Sequence, residues 1–233
     1  CVMSSSNNSS SFEEEFKTNS ISIRSYVGRL ILRTHQDEDT EILASIFSDP
    51  IARKYLVFLQ PPNGWGDDDE ERKTNKIWTK QDFADRVSVQ NQTRSKGQSC
   101  VFNIILLAST SGEKTDRCIG TTGYVTINGS IAYLGIITDP KTVRRGYATE
   151  ALYTSIVFAF QRLGVNQIIM QTDERNEEMR GWCEHTAGIP MINKQQKELN
   201  GITFVQCEYS FTLNQWNHSI KTKLENRMNQ YFK

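Results

Sequence analysis

Residues 139–152, Asp139-Pro140-Lys141-Thr142-Val143-Arg144-Arg145-Gly146-Tyr147-Ala148-Thr149-Glu150-Ala151-Leu152, join a strand-like run to an amphipathic helix through a basic turn containing glycine. The run before it, Tyr133 to Thr138 (YLGIIT), is apolar and β-prone. After it Ala148, Ala151, Leu152, Ser155, Ile156, Ala159 and Leu163 recur at three- and four-residue steps, the spacing of one helical face. A strand, a turn and then a helix is therefore expected. The first amides of such a helix have no intrahelical partner, and the helix dipole adds partial positive charge at that end. Gly146 permits close approach of the backbone, Ala148 leaves the next turn unobstructed, and Arg144 and Arg145 supply charge. The turn thus reads as a seat for a diphosphate held mainly by main-chain N–H groups. A solvated strand-to-helix connection is the plainer reading of the same residues.

The segments on either side extend an α/β order. Strands are expected at Arg29–Arg33, Cys100–Ala108, Cys118–Ile127, Ile131–Thr138, Gln167–Thr172 and Thr203–Leu213, with Asn128-Gly129 as a hairpin turn. Helices are expected at Asp39–Phe47, Pro50–Val57, Trp78–Val89, Ala148–Leu163, Glu177–Thr186 and Asn214–Phe232. Residues 61–76, with Pro61-Pro62-Asn63-Gly64-Trp65-Gly66 followed by the acidic stretch Asp67–Glu71, read as a loop or insertion. Residues 1–20, rich in Ser, Asn and Glu, read as a disordered tail. One domain over residues 21–213 is expected, followed by a helix over 214–233 that packs on its own domain.

The composition excludes several classes. Lys plus Arg and Asp plus Glu number 27 each among 233 residues, so no global positive field favours nucleic acid or an anionic membrane surface. The five cysteines are widely spaced, with no Cys-x-x-Cys pair and three histidines in the chain, which fits reduced thiols in the cytoplasm and no metal site. No secretory segment and no apolar run of transmembrane length occurs. The P-loop and the Gly-x-Gly-x-x-Gly fingerprint are both absent. A soluble cytoplasmic protein, monomeric or homodimeric, is expected.

The basic turn resembles motif A of the GNAT acetyltransferases, Gln/Arg-x-x-Gly-x-Gly/Ala. Ser48-Asp49-Pro50-Ile51-Ala52-Arg53-Lys54-Tyr55-Leu56, Ile136-Ile137-Thr138-Asp139-Pro140 and Asn176-Glu177-Glu178-Met179-Arg180-Gly181-Trp182-Cys183-Glu184 are similar, in order, to segments of the family's RimJ/RimL-like branch. The resemblance runs from about Gly28 to Thr212. It implies a mixed, mostly antiparallel central sheet of six or seven strands flanked by helices, and transfer of acetyl from acetyl-CoA to a primary amine by direct attack in a ternary complex. It also implies that Val143, Arg144, Arg145, Gly146, Tyr147, Ala148 and Thr149 hold the diphosphate. A backbone N–H at the end of the fourth strand, at Ile136 and Ile137, would donate to the oxyanion; these two and Thr138 would also line the cofactor site, and Asn176 would contact the pantetheine arm. Two positions depart from the pattern: Val143 replaces Gln or Arg, and Arg144 stands where the branch often has Gly.

The family's proton-handling positions match less well. Tyr133 aligns with a glutamate of the branch, and with an ordinary pKa near 10 it would orient substrate or water if it does not simply pack in the sheet. The family's tyrosine acid falls near Trp182-Cys183. A thiol of ordinary pKa about 8.5 could donate a proton to departing CoA, though a helix cysteine of this kind is more often packing. Asn176 doubles as a helix N-cap worth about 1 kcal/mol. The acceptor is expected to be a small amine or amino-acid derivative, slightly ahead of a protein N-terminus. The missing glutamate and tyrosine leave open a non-catalytic CoA-binding or protein-interaction module. The acidic stretch, flanked by Trp65 and Trp78, is either a solvated charge run or a lure for a cationic acceptor.

Overall fold

The strand ahead of the basic turn is Ile131–Thr138 (β5), and it lies inside a sheet of eight strands. The computed structural model describes residues 17, 19–56, 58–65, 70–112, 114–199 and 201–231. Ser22–Arg24 (β1), Leu30–Arg33 (β2), Cys100–Leu106 (β3) and Arg117–Asn128 (β4) precede β5. Gln167–Asp173 (β6), Met191–Leu199 (β7) and Ile202–Thr212 (β8) follow it. The spatial order is β1-β2-β3-β4-β5-β6-β8-β7, and every pairing is antiparallel except β5 with β6. The expected six or seven strands are therefore corrected to eight. All six expected strands are present, and β1 and β7 are the additions.

Alternation along the strands serves two cores. Leu30, Leu32, Phe102, Ile104, Ile119, Ala132 and Leu134 face one side, packed by the helix Tyr147–Arg162 (α5) and the C-terminal helix. Ile105, Cys118 and Ile137 face the other, packed by Thr40–Ser48 (α1) and by Lys80–Ser95 (α3), which starts with a capping box between Thr79 and Asp82. Gly120 makes the central pairing possible: a Cβ there would sit 2.1 Å from the Ile137 carbonyl oxygen.

Three expected helices are revised. Residues 51–55 form turns, because the Asp49 carboxylate accepts from the amides of Ile51 (2.7 Å) and Ala52 (3.2 Å) and Ile51, 70% exposed, has no core to face. Within 61–76 a short helix forms, Glu70–Asn75 (α2); Asp67, Asp68 and Asp69, like most of the expected tail, lie outside the described residues. A further short helix, Ala108–Ser111 (α4), links β3 to β4. Glu177–Gly181 (α6) runs on as a π-helical stretch over Trp182–Ala187. The C-terminal helix likewise begins with Leu213–Gln215 and a π-helical Trp216–Ile220 before Lys221–Tyr231 (α7). Trp216, Ile220, Leu224 and Met228 bury it against the α5 core, as expected.

Candidate active site

β5 and β6 pair only over Ile131–Tyr133 and Gln167–Ile169. Beyond Tyr133 the two strands part, while β6 keeps its pairing with β8 through Asp173 and β5 its pairing with β4 through Thr138. The parting leaves one flank of β5 without a hydrogen-bonded neighbour. Which amides face it follows from one bond: Asp139 donates its backbone N–H to the Ile119 carbonyl at 2.8 Å. Alternation in an antiparallel pair turns Ile137 and Gly135 the same way, so the N–H and C=O groups of Leu134, Ile136 and Thr138 face the opening. Of the two expected oxyanion donors, Ile136 has an available amide, whereas that of Ile137 is directed into the ladder with β4. The Ile137 side chain lies in the α1/α3 core.

The basic turn sits at the same end of the sheet. Asp139 accepts from the Lys141 amide (2.9 Å) and from Arg117 (3.1 Å), and the Thr142 hydroxyl donates to the Asp139 carbonyl at 2.7 Å, which folds residues 140–142 into a 3₁₀ turn. Arg144 then takes φ +62° and Gly146 φ +76°. Two left-handed residues in three reverse the chain so that α5 starts beside the end of β5. Gly146 caps α5 and offers no side-chain oxygen; the first intrahelical bond runs from the Glu150 amide to the Gly146 carbonyl at 3.1 Å. The amides of Tyr147, Ala148 and Thr149 thus have no intrahelical partner. Val143, Arg144 and Arg145 are exposed, and neither arginine forms an ion pair among the described residues. The Tyr147 ring, by contrast, is buried.

Braces that sequence reasoning missed surround the first turn of α5. The Trp182 indole N–H donates to the Thr149 hydroxyl at 3.1 Å. From the other side Arg29 reaches Glu150 and the Arg145 carbonyl. Nothing local signalled them: Glu150 falls off the helical face that Ala148, Ala151, Leu152 and Ser155 share, where a carboxylate reads as solvated.

The proton-handling candidates separate. Cys183 is fully buried in the α5 core, and burial, with a lesser contribution from Glu184, pushes its thiol up to about 12. The sequence left Cys183 as a proton donor to departing CoA or as packing, and its burial matches the packing alternative. Tyr133 is half-buried at the last paired residue of β5, its side chain on the α1/α3 face. Asn176, at the corner between β6 and α6, accepts from the Met179 amide at 3.1 Å and so fills the capping role. The segment after α1 comes to this corner: Tyr55 lies within electrostatic reach of Arg175, and Lys54 of Glu178, while the Tyr55 hydroxyl raises the Lys54 pKa.

Residues 29–186 match the acetyltransferase (GNAT) domain family. The chain belongs to the GNAT acetyltransferases. Among proteins similar to this GNAT chain, the uncharacterized N-acetyltransferase p20 of Bacillus licheniformis is 28% identical over 180 residues, covering 76% of this chain and 83% of that protein. The structure of RimL, a ribosomal L7/L12 alpha-N-protein acetyltransferase, superposes with a TM-score of 0.64 at 12% identity over 84% of this chain and 96% of that one. The microcin C7 self-immunity acetyltransferase MccE, in complex with acetyl-CoA and AMP, gives 0.62 at 14% identity over 79% and 93%. These likenesses establish the fold, with eight strands here. Among the described residues no helix is long and apolar enough to cross a membrane.

Proposed function

We infer that this GNAT enzyme moves acetyl from acetyl-CoA to a primary amine by direct attack in a ternary complex. The observation that carries the reading is the parting of β5 and β6 after Tyr133 at the same end of the sheet as the uncapped first turn of α5. The residues suit the co-substrate: the amides of Tyr147, Ala148 and Thr149 with Arg144 and Arg145 would take the diphosphate, and the open flank of β5 would receive the amide-bearing pantetheine arm as a strand receives a neighbour. Asn176 would add a contact at the β6 corner.

Acetyl-CoA supplies a thioester already reactive towards amines, so this chain's contribution is placement and charge stabilisation. The Ile136 amide faces the opening and would donate to the carbonyl oxygen as negative charge builds on it. Tyr133, on the opposite face of the sheet from α5, would orient the incoming amine or a water that removes its proton. Ile51 and Phe58, exposed on the segment after α1, would cover an acceptor with apolar surface. A small amine or amino-acid derivative is favoured slightly over a protein N-terminus, since RimL acts on a protein and MccE was captured with AMP while sharing the fold.

Calorimetry with acetyl-CoA, followed by thiol release over a panel of amines and N-terminal peptides, tests the reading. Turnover that rises with pH as the amine deprotonates is expected. No binding of any acyl-CoA would overturn it, and saturable binding without turnover on any amine would favour a non-catalytic CoA-binding module, to which the burial of Cys183 lends support.

A further inference from the structure

We propose that Arg29 and Glu150 are positioning residues that clamp the diphosphate turn, so that affinity for CoA depends on an ion pair that touches no ligand. The proposal rests on the diphosphate reading of the turn given above. Arg29 immediately precedes β2 and Glu150 closes the first turn of α5, 121 residues apart. Glu150 is completely buried. One of its oxygens accepts from the Arg29 amide (3.1 Å) and the Ser25 hydroxyl, the other from Arg29 Nε at 2.8 Å. The same guanidinium donates through Nη1 to the Arg145 carbonyl at 3.0 Å and lies 4.7 Å over the Tyr147 ring.

Arg29 therefore holds the turn on both sides of its cap. The Arg145 carbonyl lies between the two left-handed residues, Arg144 and Gly146. Arg144 has a side chain in a conformation that glycine adopts far more readily, so the local sequence alone does not keep this turn in place. A bond to the carbonyl between them restrains the Arg145–Gly146 peptide plane, from which the chain enters α5 and the amides of Tyr147 to Thr149 take their direction. The pair also settles a charge conflict. Glu150 is a buried anion one turn from the place assigned to a second anion, and Arg29 offsets it. Lysine at position 29 keeps the charge but, with a single terminal nitrogen in place of a planar fork, does not reach Glu150 and the Arg145 carbonyl together.

The test compares two probes, CoA and S-acetylpantetheine, which has the thioester arm without the diphosphate. CoA is titrated by calorimetry and S-acetylpantetheine by NMR, against wild type, Arg29→Lys, Glu150→Gln and Gly146→Glu. Arg29→Lys is expected to lose about tenfold in CoA affinity, the scale of one charge-assisted hydrogen bond, with S-acetylpantetheine affinity unchanged. Glu150→Gln shifts CoA affinity the same way by less. Arg29→Ala, which strands a buried carboxylate, is avoided because it threatens folding. Unchanged CoA affinity in Arg29→Lys, or equal losses for both probes, overturns the proposal, since a general loosening of the fold weakens both. If wild type fails to bind CoA, or Gly146→Glu binds it normally, the diphosphate reading itself falls and the clamp falls with it. A loss in Gly146→Glu without one in Arg29→Lys rejects the clamp alone.

Discussion

Gly146→Glu separates main-chain anion binding from side-chain charge. Gly146 holds φ +76° and caps α5 without a side chain. Any L-residue in that conformation carries strain of about 1–2 kcal/mol, which Gly146→Ala isolates. For a chain of 233 residues that strain should lower Tm by roughly 2–8 °C. Glutamate adds a second effect, placing a carboxylate against the amides of Tyr147, Ala148 and Thr149. Hydrogen bonds to a charged partner contribute ~1.5 kcal/mol each at the low end, so losing three costs ~4.5 kcal/mol and about a thousandfold in CoA affinity. Calorimetry on both variants, with thermal melts on the same preparations, reads the two effects apart. Gly146→Ala should melt lower and bind CoA with modest loss, and Gly146→Glu should show no measurable binding. If the glutamate variant binds within about threefold of the alanine variant, the amides are not where the anion sits and the reasoning fails.

Three further outcomes are expected. Arg144 occupies φ +62°, so Arg144→Gly should melt at or above wild type and above Arg144→Ala, while each variant loses no more than about 1 kcal/mol of CoA affinity because the side chain is exposed; a lower Tm for glycine than for alanine would contradict the left-handed assignment. Cys183→Ala should cost stability through lost packing and, like Tyr133→Phe, keep turnover with its alkaline rise, because a thiol raised to about 12 does not titrate in the working range; a hundredfold fall in kcat at unchanged KM would make either residue a proton carrier. Asp173 is held low chiefly by the Arg175 side chain. A depressed folded pKa gives stability that is complete above the unfolded value near 3.9 and is lost as pH falls below it. Asp173→Asn should therefore lower Tm at pH 7 and converge on wild type towards pH 3; a constant gap between the two melting curves would refute the assignment.

What the sequence made legible follows from which residues bury a face. The β5 run and the α5 helix carry strong periodicity because both pack the same core, and their junction could be placed from Tyr133 to Leu163 without coordinates. β7, Met191–Leu199, escaped because it is an edge strand with almost every residue exposed, so no alternation is written into MINKQQKEL. β1 has three residues and no buried position. The run from Pro50 looked helical by composition, yet the Asp49 carboxylate competes for its first amides. Which amide of Ile136 and Ile137 opens outward was hidden as well, since strand parity is fixed by a bond from Asp139 to Ile119 across the hairpin. The clamp between Arg29 and Glu150 spans more than a hundred residues and has no local signature.

The two departures from motif A point to what such a motif encodes. At its first position Val143 stands in place of Gln or Arg and is 49% exposed, so no buried contact is lost with the usual side chain. At Arg144 the usual glycine is gone, yet the left-handed backbone that glycine would favour is retained at φ +62°. A local sequence preference has been given up and the conformation has not. Something outside the turn must make up the difference, and the described contacts offer a source: the guanidinium of Arg29, anchored on buried Glu150, bonded to the Arg145 carbonyl and laid over Tyr147. Backbone geometry in such a turn can therefore be specified either by glycine within it or by a tertiary bond to the peptide between its two left-handed residues. In this chain both devices occur side by side, glycine at 146 and the tertiary bond beside 144.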